Sequence, residues 1–229
     1  MTAETLLQIQ TVRANDACLD VCWSTDYPVT NERGDPVLGV CDYDHRGMPD
    51  TALISVNLEL TGDNKGLRLG TLAHELGHAI FDAPGWRMIS CQSGLPGLCG
   101  EPIHRVFRTV TADEDHLSGP APKAGERQFD EWRANEFMGA LLVPRDLLAG
   151  RLQNHAEAID IPLEAEPGQG AMLFSQGVKR IAAEVDRRRC AFKMAVLLNS
   201  LAEDFGVSVK FIRVRLLRYG LVTNAQLGL

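Results

Sequence analysis

Leu67 to Asp82 reads LRLGTLAHELGHAIFD, with His74, Glu75 and His78 in HExxH spacing. Residues four apart lie on one face of a helix, so both imidazoles can reach a single ion. Glu75, about 100° round the helix, can hold a water beside it. Leu69, Leu72, Leu76 and Ile80 form an apolar stripe next to the histidines. Ala73, Gly77 and Ala79 leave room for close packing, and Pro84-Gly85 is expected to end the helix. The pattern predicts a metal-binding helix pressed on a core.

Upstream, Val37 to Tyr43 and Thr51 to Asn57 read as two strands joined by the turn-rich HRGMPD, a hairpin leading into the metal helix. The second strand alternates Leu53, Ser55 and Asn57 against Ile54, Val56 and Leu58. One face can therefore pack on a core, while its other face or its edge meets solvent or substrate. Residues 1–15 read as a short amphipathic helix.

Downstream, residues 86–125 are rich in Gly, Pro and Ser, with Cys91 and Cys99 bracketing QSGLPGL and an acidic patch at Asp113-Glu114-Asp115. A stretch of this length without clear periodicity reads as a functional loop, lid or insertion, in which Ile103 to Val110 can add a strand. His104 and His116 are isolated there and read as solvent-exposed loop histidines.

Periodicity returns in ERQFDEWRANEFMGALL, Glu126 to Leu142, and Pro144 suits the first turn of a further short helix to Arg151. Glu131, Ala134, Asn135, Met138 and Leu142 share one face, which can dock closely on the metal helix. A catalytic zinc commonly has three protein ligands and one open position, and Glu131 would complete a His2Glu set. Glu136, about 140° away, and Asp130 fit less well but stay open as alternatives. Asn135 is a candidate to orient a ligand through a hydrogen bond. The donor set suits Zn2+ best, with Mn2+ or Fe2+ accepted by the same ligands.

AEPGQG at 165–170 reads as a linker. Beyond it Val178 to Arg188, Ala191 to Phe205 and Ser208 to Tyr219 read as helices, the last two joined at Gly206-Val207 with Ser208 as a cap. LAEDFGVSVKFIRVRLLRYGLV is thus a helix-turn-helix pattern, with Leu201, Ala202, Phe205, Val207, Ile212, Leu216 and Leu217 inside and Lys210, Arg213, Arg215 and Arg218 outward. From Val178 onward there are ten Lys/Arg against four Asp/Glu, while the remainder holds thirteen against twenty-six. A basic tail on an acidic body is compatible with phosphate contacts, although protein docking is the preferred reading.

The chain of 229 residues can bury a real core. It has no membrane-length apolar run and no secretory signal pattern, so a soluble cytoplasmic protein is expected, without a membrane partner. Cys18, Cys22, Cys41, Cys91, Cys99 and Cys190 are accordingly expected to be mostly reduced thiols. Cys18-x3-Cys22 with Cys41-x3-His45 faintly suggests a structural zinc set.

In motif order the chain resembles the ImmA/IrrE family of bacterial and phage metallopeptidases. The resemblance rests on ISVN before the metal helix, TLAHELGH within it, Glu131-x-x-Ala134-Asn135-x-Phe137 followed by LLVP, and the terminal FGVS…RLLRYGLV segment. It implies a zinc-dependent endopeptidase of gluzincin-like design, with His74, His78 and Glu131 as ligands and Glu75 as catalytic acid and base. It also implies, as substrate, a helix-turn-helix transcriptional repressor whose cleavage relieves repression in stress response or mobile-element and phage control. In many zinc peptidases a strand edge beside the metal helix aligns the peptide.

The expected fold is α+β. A zincin-like domain at 1–164, with a small sheet, the HExxH helix, the third-ligand helix and a long insertion at about 86–125, precedes a helical, helix-turn-helix-like region at 171–229. The alternative is a non-catalytic, zinc-containing regulator that binds DNA or a partner.

Overall fold

The computed structural model describes residues 1–14, 17–25, 29–44, 46–92, 103–108, 128–165, 179–183 and 187–227. His45, Cys99, His116, the Asp113-Glu114-Asp115 patch and the linker beyond Ala165 lie outside them. The chain is mixed α and β and divides into two compact units, Met1–Met138 and Gly139–Leu229.

The first unit runs α1 (Ala3–Leu7), β1 (Thr11–Ala14), β2 (Ala17–Ser24), β3 (Gly39–Asp44), β4 (Thr51–Val56), α2 (Leu58–Thr61), α3 (Lys65–Phe81), α4 (Ala83–Gln92), β5 (Ile103–Arg108) and most of α5 (Gln128–Leu142), whose residues from Gly139 belong to the second. Its sheet has the order β1-β2-β4-β3-β5. β2 and β4 are parallel, and the other pairs are antiparallel. The period-2 alternation of β4 does what its sequence implies: Ala52, Ile54 and Val56 are buried while Thr51, Leu53 and Ser55 are half-buried. Leu19, Val21, Cys41 and Tyr43 join the same buried layer, and α3 packs on β3 and β4 over it.

The HExxH helix is positioned at its start by Asn64, whose side chain accepts from Leu67 N at 2.9 Å. Asn57, the last residue of ISVN, caps α2 by accepting from Leu60 N at 3.1 Å. Pro84 and Gly85 do not themselves stop α3. Asp82 is its C-cap, and Pro84 sits in the first turn of α4, where its missing N–H costs no helical bond.

Other expectations are corrected. The amphipathic helix of residues 1–15 is helical only over Ala3–Leu7, and Thr11–Ala14 is a strand whose Val12 is buried. β4 is not an edge strand, because β2 fills the side that β3 leaves open; the edges of the sheet belong to β1 and β5. β5 lies in the excursion where a strand was expected. The loose zinc set does not assemble among the described residues. Cys41 is buried beside Ile54, whereas Cys18 and Cys22 are exposed free thiols on β2.

The second unit contains α6 (Arg145–Ala158), β6 (Leu163–Ala165), β7 (Lys179–Ile181), α7 (Arg187–Phe205), α8 (Val209–Arg218) and α9 (Asn224–Leu227). Lys179–Ile181, expected as helix, is a strand antiparallel to β6. α7 and α8 meet at Gly206, whose φ of 66° requires a residue without Cβ strain, and Ser208 caps α8 by accepting from Phe211 N. Leu201, Ile212 and Leu216 are fully buried there, as expected, and Leu197 joins them. Arg215 is not outward. It is 1 % exposed, lies near the rings of Phe211 and Tyr219, and stacks so closely on Gly139 that any side chain at 139 would collide with its guanidinium. Lys210 is exposed, and Arg213 is half-buried with one N–H donated to Leu227 O at 2.7 Å. Among the described residues no helix is long and apolar enough to cross a membrane.

Candidate metal centre

α3 carries His74 and His78 one turn apart, both buried, and α5 brings Glu131 to them. The approach of the two helices is set by small residues. A Cβ on Gly77 would stand 3.1 Å from Ala134 Cα and 3.2 Å from the Phe137 ring, so glycine lets α5 lie against α3.

Each imidazole is oriented through Nδ1. His78 Nδ1 is 2.6 Å from Asp82 Oδ2, and His74 Nδ1 is 3.0 Å from Asn135 Oδ1. Both partners present acceptor oxygens, so each Nδ1 donates to its partner and each Nε2 is turned toward the other ring. Those Nε2 atoms are 3.1 Å apart. Glu131 Oε2 lies 3.3 Å from His74 Nε2 and Oε1 lies 3.5 Å from His78 Nε2. At this range the two Nε2 atoms and the carboxylate need a shared positive charge between them, a proton or a metal cation.

The dimensions fit such a cation. Ligand atoms at the edges of a tetrahedron with bonds of ~2.05 Å are separated by ~3.3–3.4 Å, close to the 3.1, 3.3 and 3.5 Å found here. His74, His78 and Glu131 form a group that can hold a metal ion. The Glu131 side chain is 43 % exposed, so the group is open to solvent on the α5 side. Burial works against a charge on His78, but the hydrogen bond to Asp82 and the negative fields of Glu75, Glu131 and Asp82 outweigh it. The net effect raises its pKa above the ordinary 6.5.

No family model and no curated protein sequence matches this chain. The reading of the centre therefore rests on its own geometry.

Glu75 is fully buried and reaches the start of β3, where a Cβ on Gly39 would stand 2.9 Å from its Oε1 and 2.7 Å from Thr71 Cγ2. Gly39 thus gives the glutamate its space, a role that sequence reading missed because it depends on which strand residue faces the helix. Cys41, two residues on, is buried in the same layer. Burial pushes its thiol well above the ordinary range, with Glu75, Asp42 and Asp82 adding to the effect. It is an inert packing residue. Asp82 and Arg133 were also not singled out from sequence, although Asp82 lies one helical turn beyond His78, a spacing that could have flagged it. Asp130, one of the alternative ligands, points instead to Arg133 Nη2 at 2.9 Å. His104 sits on β5, half-buried, its ring stacked on Trp86 with centroids 5.7 Å apart, and is not a free loop histidine.

Proposed function

We propose that this protein is a zinc-dependent endopeptidase of zincin-like fold, with His74, His78 and Glu131 as ligands and Glu75 as the catalytic acid and base. The observation that carries the reading is the convergence of His74 Nε2, His78 Nε2 and the Glu131 carboxylate within 3.5 Å of one another, with an acceptor on each Nδ1.

Zinc in that group supplies a Lewis acid that polarises a peptide carbonyl and acidifies a water. Glu75 accepts the proton of the attacking water and delivers it to the leaving nitrogen, a transfer its burial favours by keeping competing water away. Asp82 and Asn135 keep the imidazoles turned so that their Nε2 atoms serve the metal. Glu131 closes the set from α5 and leaves the approach side open. β5 supplies the sheet edge on which an extended substrate would add as a further strand.

The substrate class follows from the resemblance in motif order: a helix-turn-helix repressor, cut in the cytoplasm so that repression is relieved. The test is incubation of the zinc-loaded protein and its Glu75→Gln variant with repressors encoded near its gene, fragments being read by intact mass. A discrete cut by the wild type alone supports the enzyme. Absence of a cut with zinc, manganese and iron forms of the wild type counts against it. The second reading, a zinc-containing regulator that binds DNA through the tail, is disfavoured by the burial of Arg215 and the internal bond of Arg213, which leave fewer cations for phosphate than the sequence promised.

A further inference from the structure

The two ligand histidines are held differently. Asn135, a neutral amide, orients His74, whereas His78 is oriented by a carboxylate that is itself held. The Asp82 side chain is 6 % exposed; Oδ2 faces His78 Nδ1, and Oδ1 takes the guanidinium Nη2 of Arg133. Arg133 comes from α5, two residues after Glu131, and its guanidinium carbon lies 5.4 Å from the ring centroids of both Phe81 and Phe129. The same Nη2 reaches Asp130 Oδ1 at 2.9 Å. Its Nε is screened from solvent and has no acceptor among the described residues, so the cation is held by its Nη2 contacts and the two rings.

From this arrangement we infer that Arg133 is a positioning residue for the metal: through Asp82 it fixes the orientation and donor strength of His78 and ties α5, which brings Glu131, to the end of α3. The inference rests on the metal reading of the site. A carboxylate with one oxygen engaged by a guanidinium cannot rotate away from the imidazole. That carboxylate therefore keeps Nδ1 engaged and Nε2 turned toward Glu131. Lysine in place of Arg133 would keep the charge but lose the planar group that two aromatic rings can sandwich.

The test is zinc affinity, measured by chelator competition on the full chain without substrate, together with the visible spectrum of the cobalt-substituted protein. Arg133→Met and Asp82→Asn are each expected to weaken zinc by about 10–100-fold and to alter the cobalt bands, with Arg133→Lys recovering part of the loss. The double variant should lose no more than the worse single one, because both act on His78 through one path. Should Arg133→Met fail to fold, Arg133→Lys and Asp82→Asn carry the comparison. Wild-type affinity and cobalt spectrum in the Arg133 variants would overturn the inference, as would additive losses in the double variant. A wild type that binds no zinc would overturn the metal reading as well; zinc binding that is indifferent to Arg133 would overturn the positioning role alone.

Discussion

Two glutamates beside the histidines, Glu75 on α3 and Glu131 on α5, do different work because their surroundings differ. Glu75 is buried against Gly39, while Glu131 is 43 % exposed on α5. Removing the charge of Glu75 leaves every metal donor in place. Glu75→Gln should therefore lower peptide hydrolysis by at least about 10²-fold while zinc affinity, read by chelator competition, stays near that of the wild type. His78 gives a pH signature. Its pKa in the folded, metal-free protein is raised above the ordinary 6.5. The stability this group adds is complete below the unfolded value and is lost as pH rises through the folded one. Zinc needs the unprotonated Nε2, so its stabilisation grows over the same interval. Melting curves with and without zinc should diverge as pH rises from about 6 to 8; a zinc-induced shift in Tm that is flat across that range would contradict the assignment.

At the scale of elements, the centre depends on how closely two helices and a strand approach. Gly77 was legible from sequence as a small residue beside the histidines, and it does face Ala134. The shared face of Glu131, Ala134, Asn135 and Met138 was legible too, because helical periodicity alone places side chains on a face. Gly39 was not, since its meaning arises from the register of β3 beneath α3. Two substitutions separate these approaches. Gly77→Val should wedge α5 from α3 and weaken zinc more than about 10-fold, because it moves Glu131 away from the imidazoles. Gly39→Ala should press on Thr71 and Glu75 and reduce turnover with zinc affinity largely kept, a split visible by measuring both on one preparation. The interior position of β4 was hidden for the same reason as Gly39. β2 carries Cys18, Cys22 and charged Asp20 between its apolar residues, so its pairing with β4 is fixed by tertiary register rather than by a clean local pattern.

Across the whole chain, the mixed α and β class and the two helices meeting at Gly206 were readable, whereas the residues expected to define the basic face were only partly so. Arg215 falls at a position where charge alone suggested solvent, yet the space above Gly139 and the rings of Phe211 and Tyr219 take its guanidinium inside. Arg215→Ala should consequently cost about 2–4 kcal/mol of stability in urea denaturation, while Lys210→Ala, an exposed substitution, should cost little. The short strand Lys179–Ile181 was missed because three residues are too few for either periodicity to declare itself.

His74 and Asn135 meet although they are 61 residues apart in sequence, and Arg133 reaches Asp82 across 51. Contacts of that separation are paid for in chain entropy before they return any energy, so the centre is expected to close after the folding barrier has been crossed. The ion would then act as a brake. Zinc should slow the unfolding arm of a chevron plot severalfold and leave the refolding arm nearly unchanged, making metal loading a determinant of how long each molecule survives rather than of how quickly it is made.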